Sequence, residues 1–159
     1  MSQSWFELGM AQVLYDRGGF WQLKEYEECS FVPYRDVVRE IVAEEKGHQE
    51  LGEKIVKEEE GHQSLGERIV VDLVKTGAYE AVKQPMFDRW FRIGMLSFGR
   101  PASAGNRYAM SVGLKKRDSG DVMRDFVSDI RPAVRSSGLR FPDRASLQME
   151  LPPDIDWSV

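Results

Sequence analysis

Residues 44–70 read EEKGHQELGEKIVKEEEGHQSLGERIV and say nearly the same thing twice. Offset by fourteen, residues 41–56 match residues 55–70 at twelve of sixteen positions. Each copy holds a Glu-x-x-His, Glu45 with His48 and Glu59 with His62, and these are the chain's only two histidines. Fourteen residues at about 100° each return to within about 40° of the starting direction, so a helix keeps the same face on both copies while everything downstream moves by about four turns. A pair of heptads has the same period. Gly47 and Gly61, with Gly52 and Gly66, repeat as well, and glycine is a poor residue for a coiled-coil seam. A tandem duplication inside a helix is the better account.

Working outward, residues 34–76 contain no proline, are dense in Glu, Lys, Val and Ile, and stop at Thr76-Gly77, where glycine suits a left-handed cap. This pattern predicts one very long helix, or two in line, on the order of 60 Å in all. Upstream, residues 4–29 predict a long helix with Ser4 as N-cap and Glu7 three residues on. Gly18 and Gly19 weaken its middle, so a local distortion is expected beside Asp16. Pro33 breaks the pattern and opens the next helix. Downstream, residues 78–83 predict a short helix and Pro85 opens another, with Met86, Trp90, Ile93 and Phe98 as its core candidates. GRPASAG reads as a loop. The last helix starts with Asp118 or Ser119 as cap and stops at Gly138. No useful strand alternation is present, so the expected fold class is all-α. Residues 1–143 form the expected single domain, with its duplication near 42–70, and 144–159 an extended tail.

The formal net charge of -4 argues against a broad basic face for nucleic acid or an anionic membrane, since Lys115, Lys116 and Arg117 make only a local cluster. A lone Cys29 cannot form an internal disulfide, and no leader or long apolar run is present, so a cytoplasmic setting is expected.

Residues three apart on a helix share a face, so either Glu-x-x-His can offer a carboxylate and an imidazole to one metal ion. The plain alternative is a solvated charge pair on a Glu-rich helix. A hairpin turn centred near Val32 sets Asp16 level with Glu45 and His48, and the three can share a metal. Glu59 and His62 then lie about 21 Å further along, level with or beyond the first helix's start, out of reach of Asp16 in a straight hairpin. Di-iron and di-manganese carboxylate sites in four-helix bundles take one acidic residue from each of two helices and Glu-x-x-His from each of the other two. Oxygen and imidazole donors suit iron, with manganese second, better than a thiolate-based zinc site.

Three segments in order carry a wider likeness: VLYDRGGFWQLKEYEECSFVPYRDVVREIVAEEKGHQ, MFDRWFRIGMLSFG and KKRDSGDVMRDFVSDIRPAVRSSGLRFPD. From about Trp5 to Asp143 the chain resembles the C-terminal half of the catalytic subunits of phenylacetyl-CoA epoxidases, in the phenylacetic acid catabolic family of ferritin-like proteins. The resemblance implies a ferritin-like helical bundle and a di-iron monooxygenase centre that activates O₂ to epoxidise the aromatic ring of a coenzyme A thioester. It also implies a separate reductase and related helical subunits as partners, in a homodimer or hetero-oligomer. By it Asp16 corresponds to the acidic ligand of the third bundle helix, and Glu45 and His48 to the Glu-x-x-His of the fourth. Glu59 and His62 match that motif only through the residues on their C-terminal side. The ligands of the family's N-terminal half have no counterpart in these residues, so a second hairpin is expected to complete the site. The competing expectation is a helical scaffold or sister subunit without a working metal centre. Arg89, Arg92 and Lys115 are candidates for a coenzyme A phosphate, or simply solvated cations.

Overall fold

The structure, a computed structural model, describes residues 4–55 and 62–158, with the side chains of 44–65 and of 67 outside that description. Among the described residues the chain is helical and contains no strand, as an all-α sequence requires. No described helix is long and apolar enough to cross a membrane.

The first rod is α1 (Trp5–Ala11), a π-helical segment (Gln12–Asp16) and α2 (Arg17–Lys24), running on without a break. Ser4 caps it, its hydroxyl accepting from the Glu7 amide at 3.1 Å. The expected distortion occurs beside Asp16, as a π turn that ends there, just before the glycine pair. Its cause is tertiary. A Cβ added to Gly94, in α5, would stand 3.0 Å from the Leu14 carbonyl oxygen, so the widened turn bulges onto a helix that has left room for it. α2 stops at Lys24, earlier than predicted, and turns carry the chain to α3 (Val32–Ile55) with Pro33 in its first turn.

α4 (His62–Lys75) comes after it, ending before Gly77 at φ +71°. Residues 78–82 form turns instead of the predicted short helix. α5 (Lys83–Ser97) comes next, then α6 (Ala104–Ser111), which the loop reading of GRPASAG missed. The signal was Ser103, whose hydroxyl accepts from the Asn106 amide as an N-cap. Asp118 caps α7 (Ser119–Ser136) by accepting from the Gly120 amide, and Gly138 at φ +64° closes it.

The core joins Phe6, Met10, Val13 and Leu14 of the first rod to Phe87, Phe91 and Met95 of α5 and Met123, Phe126 and Ile130 of α7. On α5 the buried face lies one residue on from the predicted one. Phe98 is buried as expected, Met86 and Trp90 only border the core, and Phe87, Phe91 and Met95 fill it. A single helix with aromatics on two neighbouring stripes does not say which stripe meets α7. The tail folds back on this layer. A 3-10 turn (Arg144–Leu147) leads to Trp157, whose ring lies 5.8 Å from Phe91 and 5.5 Å from Phe141.

Candidate metal centre

Asp16 closes the π segment and is exposed. A π turn inserts an extra residue into the helical ladder and re-aims the side chain at its end, and such segments recur at functional sites. Two other helices approach this point from opposite ends of the rod.

From the C-terminal side, α3 packs against α2. The rings of Tyr26 and Tyr34 meet edge-on at 5.4 Å, and Arg39 donates to the Glu27 carbonyl at 2.7 Å. Continuing the antiparallel pairing set by Tyr26 and Tyr34 brings Asp16 opposite residue 44, about one residue before Glu45 and one turn before His48. From the N-terminal side, α4 packs along α1 and the π segment. Gly66 is the close approach: a Cβ there would stand 2.9 Å from Cβ of Gln12 and 3.1 Å from the Gly9 carbonyl. A Cβ on Gly9 would in turn meet Ile69 and Val70, at 3.1 and 3.2 Å. α4 is therefore antiparallel to α1, and one turn back from Gly66 its first residue, His62, comes to about the height of Asp16.

The four-turn displacement expected of a straight hairpin is thus not what α4 shows. The duplication does not push the downstream helix past the start of the first rod, because the glycine contact between Gly66 and Gly9 holds α4 alongside it. The side chains of Glu45, His48 and His62 lie outside the described residues, as does Glu59 entirely. Among the described residues no group of three or more His, Cys, Asp or Glu side chains is placed to hold a metal. The donor set itself, carboxylates with imidazole and no thiolate, has the chemistry that iron or manganese takes.

The cations singled out in the sequence have internal work. Arg89 lies 3.3 Å from the buried Glu7 carboxylate, and Arg92 donates to the Leu147 carbonyl at 2.8 Å. Lys115 is buried and donates to the Ser119 hydroxyl, and burial pulls its pKa below the ordinary value. Arg117 clamps the end of α2 to α7, reaching Glu25 at 2.6 Å and Asp125 at 2.6 Å, with Lys116 on Glu28 at 3.3 Å. Hydrogen bonds from the Arg117 guanidinium to the Glu25 carboxylate, outweighing desolvation, hold that guanidinium above its usual pKa. These residues also line a polar cleft of about 540 Å³ with Trp21, Lys24 and Arg39. It sits at the far end of α2, about 13 Å along the rod from Asp16, and its mixed charges largely pair with one another.

A family model described as phenylacetic acid catabolic protein matches residues 1–151. Among curated proteins none matches the chain.

Proposed function

The chain belongs to the family of phenylacetic acid catabolic proteins, and from that premise we propose that it is a di-iron oxygenase subunit of the phenylacetyl-CoA epoxidase type. In this reading Asp16, Glu45 and His48 hold metal, with Glu59 and His62 as the second copy of the same motif. Support comes from one observation above others: α4, which carries the second copy, starts at about the height of Asp16, where the first rod takes its π turn, and the α2–α3 pairing continued along the helix carries the first copy toward the same height. When bound, iron in such a carboxylate and imidazole site supplies the redox chemistry that activates dioxygen.

The chain's own residues supply position. The π turn fixes Asp16 on a rod whose other face is locked by Leu14 against Gly94. Met10, Val13 and Leu14 on the same rod point into the apolar core with Val70, Phe87 and Val134, so the rod that carries Asp16 is held in place. The substrate in this reading is a coenzyme A thioester of an aromatic acid, with electrons from a separate reductase. These residues offer one acidic ligand besides the two Glu-x-x-His copies, so further ligands come from a second helical pair.

Metal analysis after anaerobic reconstitution tests the reading. At least about one iron per two chains is expected, with His48→Ala losing it, and a lower content sinks the proposal. If His62→Ala removes the metal and His48→Ala does not, the second copy is the ligand pair. A scaffold reading is favoured by the exposure of Asp16. It predicts unchanged affinity for a helical partner in His48→Ala and no iron in either protein.

A further inference from the structure

The first rod is pinned to its neighbours immediately after the π turn. Arg17 and Trp21 lie four residues apart on α2 and so share a face. Both meet Asp129 of α7: the Trp21 indole Nε1 donates to its Oδ2 at 3.0 Å, and Arg17 Nε lies 3.7 Å from the same oxygen. The indole body packs against the core, with the Lys24 ammonium 4.8 Å from its ring centre. Gln22 adds an anchor to α5, donating to the Ser97 carbonyl at 2.9 Å. Ahead of these contacts, the Leu14 carbonyl stands against Gly94. Asp16 therefore sits between two fixed points, Leu14 on α5 and the Arg17–Trp21 pair on α7.

A π turn is an α-helix with one residue inserted, and the insertion can sit at neighbouring positions along the helix. Moving it by one position turns the residue it passes by about 100° about the axis, which sweeps a side-chain tip through about 8 Å. Metal ligation tolerates distance errors of only about 0.2 Å. Sliding the turn toward α2 draws Arg17 into it and away from Asp129, so the contacts on that carboxylate oppose the slide. We infer that Asp129 is a positioning residue for Asp16: by accepting the hydrogen bond of the Trp21 indole and facing Arg17, it holds the π turn in register and fixes the direction in which the Asp16 carboxylate leaves the rod. Its consequence for metal rests on the proposed metal centre, whereas the register of the turn does not. Asp129 is itself 39% exposed, so its replacement leaves the core packing in place.

Asp129→Leu, Asp129→Asn and Trp21→Phe in the whole chain test this. Two readouts are taken: Mn²⁺ affinity by paramagnetic resonance titration, and amide hydrogen exchange of residues 12–17 without metal. Asp129→Leu and Trp21→Phe should each weaken Mn²⁺ binding at least about tenfold, as loss of a partner behind a metal ligand does. Both should speed exchange at residues 12–17 while the amides of α7 keep their protection. Asp129→Asn retains an oxygen for the indole and should stay close to the parent in both readouts. Should Asp129→Leu lose helical circular dichroism, Trp21→Phe, which keeps a ring against the core, carries the test. Where the parent binds Mn²⁺, equal affinity in Asp129→Leu overturns the inference and leaves the metal centre standing. An asparagine variant as weak as the leucine one overturns it too, because a lost indole bond cannot explain that result. If the parent binds no Mn²⁺, the metal centre falls on its own account. Exchange alone then decides the pin: unchanged rates at residues 12–17 in Asp129→Leu overturn it, and faster rates confined to that segment uphold it.

Discussion

α3 and α4 carry copies of one repeat, and the described side chains of the two helices meet different surroundings. α4 presses Gly66 against Gly9 and Gln12 and buries Val70 in the core. α3, where its side chains are described, leans on α2 through Val38 and Val42 and leaves a large apolar stripe open. What separates the two is the neighbour each meets along the first rod: glycine-lined α1 for one, the turn side of α2 for the other.

The sharpest way to break this contrast is at the close approach. Gly66→Leu places atoms where Gln12 and the Gly9 backbone already stand, so a loss of about 3 kcal/mol or more is expected in urea unfolding. If stability holds, α4 is not seated as described. A matched pair of truncations compares the two helices directly. Val70→Ala, in the core, should cost about 1–3 kcal/mol, while Val37→Ala, mostly exposed, should stay within about 0.5 kcal/mol. Equal costs would erase the distinction between a core helix and an open one.

A third test asks what steadies α3 from a distance. Glu25 is 7% exposed and its carboxylate relies on Arg117. Arg117→Met therefore leaves a poorly solvated charge at the end of α2, at a cost of about 1–2 kcal/mol given the guanidinium's partial exposure. Because α3 hangs on α2, its amides should exchange hydrogen faster in this variant while those of α4 change little. Uniform acceleration across both helices would contradict that. A smaller effect of opposite sign is expected at Gly19, where an added Cβ meets nothing within 4 Å. Gly19→Ala should raise stability by up to about 1 kcal/mol through helix propensity, read as a higher urea midpoint.

The smallest effect is a pH dependence. Burial lowers the pKa of Lys115 from its ordinary 10.5, with Glu25 and Asp118 opposing the shift. Between the lowered value and 10.5 the unfolded chain holds more protons than the folded one, so folding stability rises with pH across that window. Relative to Lys115→Met, the parent protein should gain stability as the pH rises through the alkaline range toward 10.5. A gain on acidification instead would show the lysine to be stabilised in its charged form.

Helix ends were the most legible part of the fold. Ser4, Asp118, Gly77 and Gly138 do what their types do at helix ends, because capping is settled within a few residues of the cap. The missed α6 fits the same rule, since Ser103 carries a capping side chain inside a stretch of loop-like composition. The buried stripe of α5 was less legible. Phe87 and Phe91 outrank Met86 and Trp90 only because α7 and the tail bring Phe126, Phe141 and Trp157 to that side. At the candidate site, the residue types and the pairing of Asp16 with the nearer motif come from helix arithmetic. The height of the farther motif does not.

By itself the sequence determined an all-helical chain, its caps, its duplicated Glu-x-x-His and the family likeness, since each depends on residue type and short-range spacing. Only the tertiary structure decided what the distorted turn packs against and where the helix after the duplication comes to rest. Both depend on backbones meeting at glycine, Gly94 against Leu14 and Gly66 against Gly9. Such contacts join residues about 57 to 80 positions apart, and no local pattern encodes which glycine will find which partner.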